Sequence, residues 1–256
     1  MIIDNLPAFR FDCETLPSLF VFKTRSYQLE RIDTGDYTPE EYEQFLREIS
    51  LVNRFAGDNW TLHKTLLREI ERENQTAFSV LDVGAGSGEL LRTIAGFARK
   101  QNRKARLFGL ELNARSAAAI LEESKNFAEI RAVRGDALLL PFADDSFDYA
   151  ICSLFTHHFT DENIVQILNE MARVSRRKIF VIDLHRHRVA YFFYTTVGKI
   201  FLRGSLVRQD GALSILRSFK PSELEQLGRT AHLSEISVKR YFPFRLVLQA
   251  KKDVPK

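Results

Sequence analysis

The chain has 256 residues, of which 45% are hydrophobic and 27% charged, with a formal net charge of +4. This supports one α/β domain with a sizeable core plus a modest accessory element. The charged fraction is ordinary for a soluble protein, and so mild a positive balance fits a solvated basic surface without marking a nucleic-acid or membrane binder.

The two cysteines, Cys13 and Cys152, lie far apart with no CxxC spacing. They suggest neither a disulfide framework nor a zinc site, and they fit a reducing compartment. The start, Met1-Ile2-Ile3-Asp4-Asn5, lacks the basic segment and apolar core of a signal peptide, so the expected location is cytoplasmic. The most apolar window, Val189 to Leu202, is too short to span a membrane and is broken by Lys199. Peripheral membrane contact stays open.

Residues 1 to 36 read as irregular, with Pro7 and Pro17. Thr38-Pro39-Glu40-Glu41 then opens a helix: Thr38 can cap, Pro39 suits the first helical position and Glu41 completes a capping box. Tyr42, Phe45, Leu46, Ile49, Val52 and Phe55 follow at helical spacing. Gly57-Asp58-Asn59 ends that helix and starts another, roughly Trp60 to Glu73. Residues 1–75 are therefore expected to form a mainly helical extension that covers the site.

From Ala77 the pattern alternates. Strands are predicted at Ser79 to Val83, Ala105 to Leu110, Ile130 to Arg134, Phe147 to Ser153 and Lys178 to Asp183. Helices are predicted at Glu89 to Lys100, Ala114 to Glu123 and Asp161 to Val174, the last capped by Asp161. Such alternation implies a parallel sheet covered on both faces. Glu223 to Ala231 reads as a further helix, and Ile236 to Tyr241 with Phe244 to Lys251 as a closing hairpin that adds one antiparallel edge strand. Residues 76–256 thus form one domain, with an insertion at 184–219 rich in Phe, Tyr and Arg that is expected to act as a lid.

The first strand runs into Asp82-Val83-Gly84-Ala85-Gly86-Ser87-Gly88. Glycines permit tight turning and close backbone approach to a ligand, and the helix that follows offers unpaired amides. Glu89 stands where a dinucleotide fingerprint needs glycine or alanine. Asp82 can hold a cationic amino group. Glu111, with Leu112, follows the second strand and can accept from two ribose hydroxyls. Asp136-Ala137 follows the third strand, placed to meet an adenine edge, and Ser153 ends the fourth.

With these residues the chain resembles the class I S-adenosylmethionine (SAM)-dependent methyltransferases, over roughly residues 76 to 183. The runs Gly135-Asp136-Ala137, Leu140-Pro141-Phe142 and Ser146-Phe147-Asp148 are most similar to the small-molecule subgroup that includes ubiquinone and menaquinone methyltransferases. Asp183-Leu184-His185-Arg186 and Arg208-Gln209-Asp210-Gly211 resemble bacterial methyltransferases found beside polyketide-type genes. The resemblance implies a Rossmann-like, doubly wound, mostly parallel seven-stranded sheet. It implies SAM as cofactor, S-adenosyl-L-homocysteine as product, and contacts from Asp82, Gly84, Ala85, Gly86, Gly88, Glu111, Leu112, Asp136, Ala137 and Ser153.

In such a transfer the protein mainly positions the nucleophile, and a base helps if that nucleophile is a hydroxyl. Ser153-Leu154-Phe155-Thr156-His157-His158-Phe159 follows the fourth strand. His157 or His158 is the expected base, and Phe155, His185, Tyr191 and Tyr194 are expected to line an apolar acceptor pocket. His185 and His187, with Arg186 and Arg188, could meet an anionic or phenolic substrate group, Trp60 and His63 could close over the cofactor, and Arg54 could pair with its carboxylate. His185 and His187 lack the spacing of a helical metal site, so no metal is expected. The expected reaction is methylation of a hydroxyl, most simply a phenol, on an aromatic or polyketide-like small molecule. The alternatives are carbon methylation of a quinone-like ring, RNA modification (although no nucleic-acid module is seen) and a non-catalytic partner protein. A monomer and a homodimer are both compatible with the sequence.

Overall fold

Among the described residues seven strands form one sheet: β1 (Ala77–Val83), β2 (Lys104–Glu111), β3 (Ile130–Arg134), β4 (Phe147–Ser153), β5 (Ser175–Leu184), β6 (Ser234–Tyr241) and β7 (Arg245–Lys251). Their order in this computed structural model is β3-β2-β1-β4-β5-β7-β6. The structure describes residues 22–42, 44, 45, 48 and 57–253, the side chains of 199 and 200 excepted. The expected apolar positions Leu46, Ile49, Val52 and Phe55 lie outside the described residues, as do Cys13 and Arg54.

Strands β1 to β5 pair in parallel. The single antiparallel strand is β7, which runs opposite to both β5 and β6. It lies one place in from the edge, because the hairpin inserts its second strand beside β5 and leaves β6 outermost. The strand order reverses direction at β1, so the carboxyl ends of β1 and β4 flank the crevice where open α/β sheets place ligands.

The central strands bury both faces, as strands covered on two sides must. Leu81, Val83, Ala150, Cys152, Ile179 and Val181 point into one apolar layer. Val80, Tyr149, Ile151, Phe180 and Ile182 point into the other. Two helices cover the first layer, α5 (Asp161–Val174) and α8 (Pro221–Thr230). The second is covered by α3 (Glu89–Lys100) and by α2, a continuous helical stretch 58–72 built from Asp58–Leu62, a π turn at His63–Leu67 and Arg68–Arg72. Leu62, Leu66, Leu67 and Ile70 of α2 are fully buried, so this helix belongs to the core layer. Helix α4 (Ala114–Glu123) lies beside β2 and β3.

Helix α5 begins at Asp161 as expected, but its cap is Thr160. The Thr160 hydroxyl accepts from the Asn163 amide, because Asp161 already has helical backbone angles and only the residue before it can cap. The expected capping box at 38–41 is formed: Thr38 Oγ1 accepts from Glu41 N at 3.2 Å and Glu41 Oε2 from Thr38 N at 3.1 Å. The insertion is helical, with α6 (Arg188–Phe201) and α7 (Ser205–Arg217) packed as a hairpin and α7 set against the 3-10 turn at Thr156–His158. One short turn of helix precedes them in the chain, α1 (Arg31–Thr34). Among the described residues no helix is long and apolar enough to cross a membrane.

Candidate functional site

At the end of β1 the chain turns through Gly84, Gly86 and Gly88 at φ of +71°, +57° and +82°, a region that residues with a Cβ enter only at a cost. Gly84 N and Ala85 N donate to Leu110 O at 3.0 and 3.2 Å, which ties the loop to the end of β2. Gly86 N donates to Glu111 Oε1 at 2.6 Å. A Cβ on Gly84 would fall 2.3 Å from the Phe155 ring, whereas nothing lies within 4 Å of one on Gly86. The loop is thus packed on one side by Phe155 and open on the other.

Asp82 is 2% exposed, and its carboxyl has no hydrogen-bond partner among the described residues. Burial, and then the charge of Glu111, push it up to about 8. Glu111 is raised by its own burial, with the Gly86 and Leu112 amides pulling the other way. Two acids at neighbouring strand ends are therefore buried together with few partners among the described residues, Glu111 holding the Gly86 and Leu112 amides and Asp82 none. That donor set suits a ligand carrying an ammonium group and a pair of hydroxyls. Asp136 stands exposed at the end of β3 and accepts from Leu138 N at 2.9 Å, with Ala137 buried behind it. Leu112 is exposed, and Ser153 closes β4 partly buried.

Beyond β4 the chain bends sharply at Leu154, whose φ is +50°, into a 3-10 turn at Thr156–His158. Asp183, next to last in β5, organises this turn. Its Oδ2 accepts from Thr156 Oγ1 at 2.6 Å and from His157 N at 3.1 Å, and its Oδ1 lies 2.7 Å from His157 Nδ1. Burial opposes ionisation of Asp183, but the His157 charge and these hydrogen bonds outweigh it and hold the carboxyl at about 2. His158 Nδ1 lies 2.8 Å from Asp33 Oδ1. His157 is buried and His158 partly exposed.

Residues far away in sequence complete this end. The buried Asp210 carboxylate of α7 accepts from Arg31 N and Ile32 N at 3.0 and 2.9 Å, anchoring α1 and with it Glu30 and Asp33. Arg217 at the end of α7 donates to His157 O, His158 O and Asp33 Oδ2. Burial pushes Glu30 up to about 7 against the pull of His158 and Arg217. Asp33 is held at about 2: burial resists, and the His158 and Arg217 contacts prevail.

The other expected substrate residues separate. The Phe155 ring tilts against Phe159 at 4.8 Å, beside Gly84. The His185 ring is 5.4 Å from His187, and burial, then His187 and Arg240, push it down to about 4. Tyr191 lines a cleft of about 310 Å³ with Leu29, Arg31 and Asp210. Tyr194 does not join it: its hydroxyl donates to Val207 O and presses on Gly211, so it packs α6 on α7.

Arg186 is buried and committed to Phe22 O, Ser218 O and Glu223, so it is not available to a substrate anion. Trp60 meets Tyr241 and His63 is exposed, and the polar contacts from α2 to the glycine-loop helix are made by Asn59, with Glu89 and Thr93. A cavity of about 760 Å³ between Arg25, Asp161 and Gln226 is lined by none of the glycine-loop residues. Sequence reasoning missed Glu30, Asp33, Asp183 and Arg217 as parts of the site. Asp183 had a readable signal, an acid at a strand's carboxyl end like Asp82 and Glu111. The other three had none.

Residues 80–178 match a family model described as a methyltransferase domain. A 2-phytyl-1,4-naphtoquinone methyltransferase of Thermosynechococcus vestitus is 32% identical over 96 residues, 38% of this chain and 40% of that protein. A demethylmenaquinone methyltransferase of Bacillus licheniformis is 24% identical over 125 residues, 49% of this chain and 52% of that one. The chain spans about half or less of the length of the curated relatives it matches. A SAM-dependent methyltransferase structure from Aquifex aeolicus superposes with a TM-score of 0.53 at 14% identity, covering 80% of this chain and 98% of that one, which shows a shared fold. The glycine loop, the acids at the ends of β1 to β3 and the domain match make residues 80–178 similar to the methyltransferase domain of the class I SAM-dependent kind.

Proposed function

We propose that this chain transfers a methyl group from SAM to a hydroxyl, most simply a phenol, on an apolar small molecule. The carrying observation is Asp82, a buried carboxyl without a hydrogen-bond partner among the described residues, close enough to Glu111 to feel its charge, with Glu111 in turn bonded to Gly86 N. That arrangement fits the cofactor's ammonium at Asp82 and its ribose hydroxyls at Glu111, with Asp136 and Ala137 toward the adenine. The cofactor supplies a methyl group already activated on a sulfonium.

The chain's own work is then to orient the acceptor and remove its proton. His157 supports this, because Asp183 on Nδ1 leaves Nε2 free to accept a proton. Phe155 and Phe159 offer an apolar flank of two inclined rings, Phe155 next to the glycine loop. Helices α6 and α7, with Tyr191 lining the cleft against residues 28–31, are suited to covering the acceptor.

A second reading, carbon methylation of a quinone-type ring, is favoured by the names of the two quinone-related relatives. Calorimetric titration with S-adenosyl-L-homocysteine tests the cofactor. Micromolar binding is expected, and none at millimolar ligand would sink the reading. Mass spectrometry after transfer of a labelled methyl group to simple phenols and naphthoquinols separates oxygen from carbon as acceptor.

A further inference from the structure

Glu30, His157 and His158 come from two distant parts of the chain, yet one ligand-type atom from each lies within 4.8 Å of the others. His157 Nε2 is 3.9 Å from Glu30 Oε1. Among the described residues that Oε1 is buried without a hydrogen-bond partner, on a residue only 3% exposed. Leaving such an atom unpaired is costly, so it marks a place built for something more.

The histidines are prepared in the same sense. Each has Nδ1 held by a carboxylate, His157 by Asp183 at 2.7 Å and His158 by Asp33 at 2.8 Å. A carboxylate on Nδ1 fixes the tautomer whose Nε2 carries the lone pair, the arrangement that supports metal-bound histidine. The two rings sit 4.3 Å apart at a tilt of 34°.

Charge points the same way. Glu30, Asp33 and Asp183 are three carboxylates around the cluster. Arg217 faces two of them, with Nη1 2.6 Å from Asp33 and 3.7 Å from Glu30. Arg25, which also reaches the His157 carbonyl, is paired with Asp161. With both imidazoles neutral, as metal-bound histidine must be, the carboxylates outnumber the guanidinium and the cluster favours a cation.

We propose that Glu30, through Oε1, and His157 and His158, through Nε2, bind one divalent transition-metal cation. Two imidazole nitrogens and one carboxylate oxygen form a three-ligand set that leaves a coordination position open. Bond lengths of about 2.0–2.2 Å require the ligand atoms to draw together from their present spacing. The histidine ligands stand in the turn that follows β4, beside the carboxyl end of β5, so the cation would be held at the end of the sheet where the acceptor is proposed to bind. There the cation would take the acceptor hydroxyl and lower its pKa. The proton leaves to water, the oxygen forms its bond to the methyl carbon, and the carbon–sulfur bond breaks to leave the thioether. This use rests on the hydroxyl reading above, and in it the histidines act as ligands. The metal site itself does not depend on that reading.

The test is metal binding to the full chain after stripping with a chelator. Zinc is measured by competition with a chromogenic chelator, and Co²⁺ by its visible absorption. One zinc per chain at micromolar affinity or tighter is expected, with Co²⁺ bands of nitrogen–oxygen coordination. Glu30→Gln and His158→Ala should each weaken zinc more than about tenfold. Asp33→Asn, acting through His158, should weaken it about 10- to 100-fold. Circular dichroism and S-adenosyl-L-homocysteine titration on the same samples establish that the variants fold. No zinc binding at micromolar metal overturns the proposal, as does equal binding by a folded His157→Ala, His158→Ala double variant. Cofactor binding that survives such a result would leave the methyltransferase reading standing, whereas its loss in the unmodified chain would strike that reading alone.

Discussion

Asp183 Oδ1 sits 2.7 Å from His157 Nδ1, while Oδ2 of the same carboxylate receives the His157 backbone amide and the Thr156 hydroxyl. One residue of β5 therefore sets both the ring and the backbone of the turn that follows β4. Asp183→Asn would place an amide against Nδ1 and favour the tautomer whose Nε2 carries a proton. Turnover should fall by about 10²- to 10⁴-fold, the range for losing a positioned proton acceptor. The dissociation constant for S-adenosyl-L-homocysteine should move little. Initial rates and calorimetry on one preparation check both, and an unchanged kcat would remove His157 from the reaction.

Asp82 carries a pH signature. Its folded-state pKa, pushed up to about 8 by burial and then by Glu111, lies far above its unfolded value. A raised carboxyl contributes stability that is present below pH 4 and is lost as pH rises through 8. Asp82→Asn should thus raise the melting temperature of the ligand-free chain at pH 8–9 and leave it nearly unchanged at pH 4. The cofactor's ammonium demands the ionised form, so binding near pH 7 should release a proton from this residue. Calorimetry in buffers of differing ionisation enthalpy should detect that proton in the unmodified chain and miss it in Asp82→Asn. Binding of the variant should be at least about tenfold weaker, for want of one charge-assisted contact. Equal proton release from both proteins would contradict the assignment.

The glycine loop allows a sharper contrast. At Gly84 an added methyl meets the Phe155 ring at 2.3 Å, so Gly84→Ala combines strain at positive φ with a clash. At Gly86 nothing lies within 4 Å, and only the φ of +57° resists, at about 1–2 kcal/mol. Gly84→Ala should be strongly destabilised and partly rescued by Phe155→Ala. Gly86→Ala should melt only a few degrees lower yet bind S-adenosyl-L-homocysteine more than about tenfold less tightly, because its methyl projects into the open face. Thermal melts and titrations of the three variants decide it. A Gly86→Ala chain that binds normally would mean that the cofactor does not approach that face.

How far the sequence could be read follows from which contacts are local. The loop after β1 was legible because glycine spacing, a strand-ending acid and a helix start all fall within a few residues. Glu111 and Asp136 were legible because each follows a run of strand-forming residues. The capping box at Thr38 and Glu41 is a contact three residues long. Glu30 could not be found this way, because it meets His157 only where Asp210, 179 positions beyond Arg31, pins the first turn of α1. The position of β7 was equally hidden: a hairpin can add either strand to the sheet, and which one pairs with β5 depends on its far face meeting α5 and α8. Arg186 looked like a surface cation because its partners, Phe22, Ser218 and Glu223, lie at least 32 residues away.

The two insertion tyrosines should behave differently for that same reason. Tyr194 donates to Val207 O and fills the space over Gly211, where a Cβ would come within 2.0 Å of its oxygen. Tyr191 instead borders the cleft beside residues 28–31. Tyr194→Phe should cost about 1 kcal/mol, the net worth of one hydrogen bond, and leave KM for the acceptor unchanged. Gly211→Ala should loosen the α6–α7 hairpin more severely, because the backbone there cannot yield without moving the ring. Tyr191→Ala removes a wall of the cleft and should raise KM with little change in melting temperature. Limited proteolysis reports on the hairpin and steady-state kinetics on the cleft. A rise in KM for Tyr194→Phe matching that of Tyr191→Ala would place both hydroxyls in contact with the acceptor and make the hairpin a wall of the pocket along its whole length.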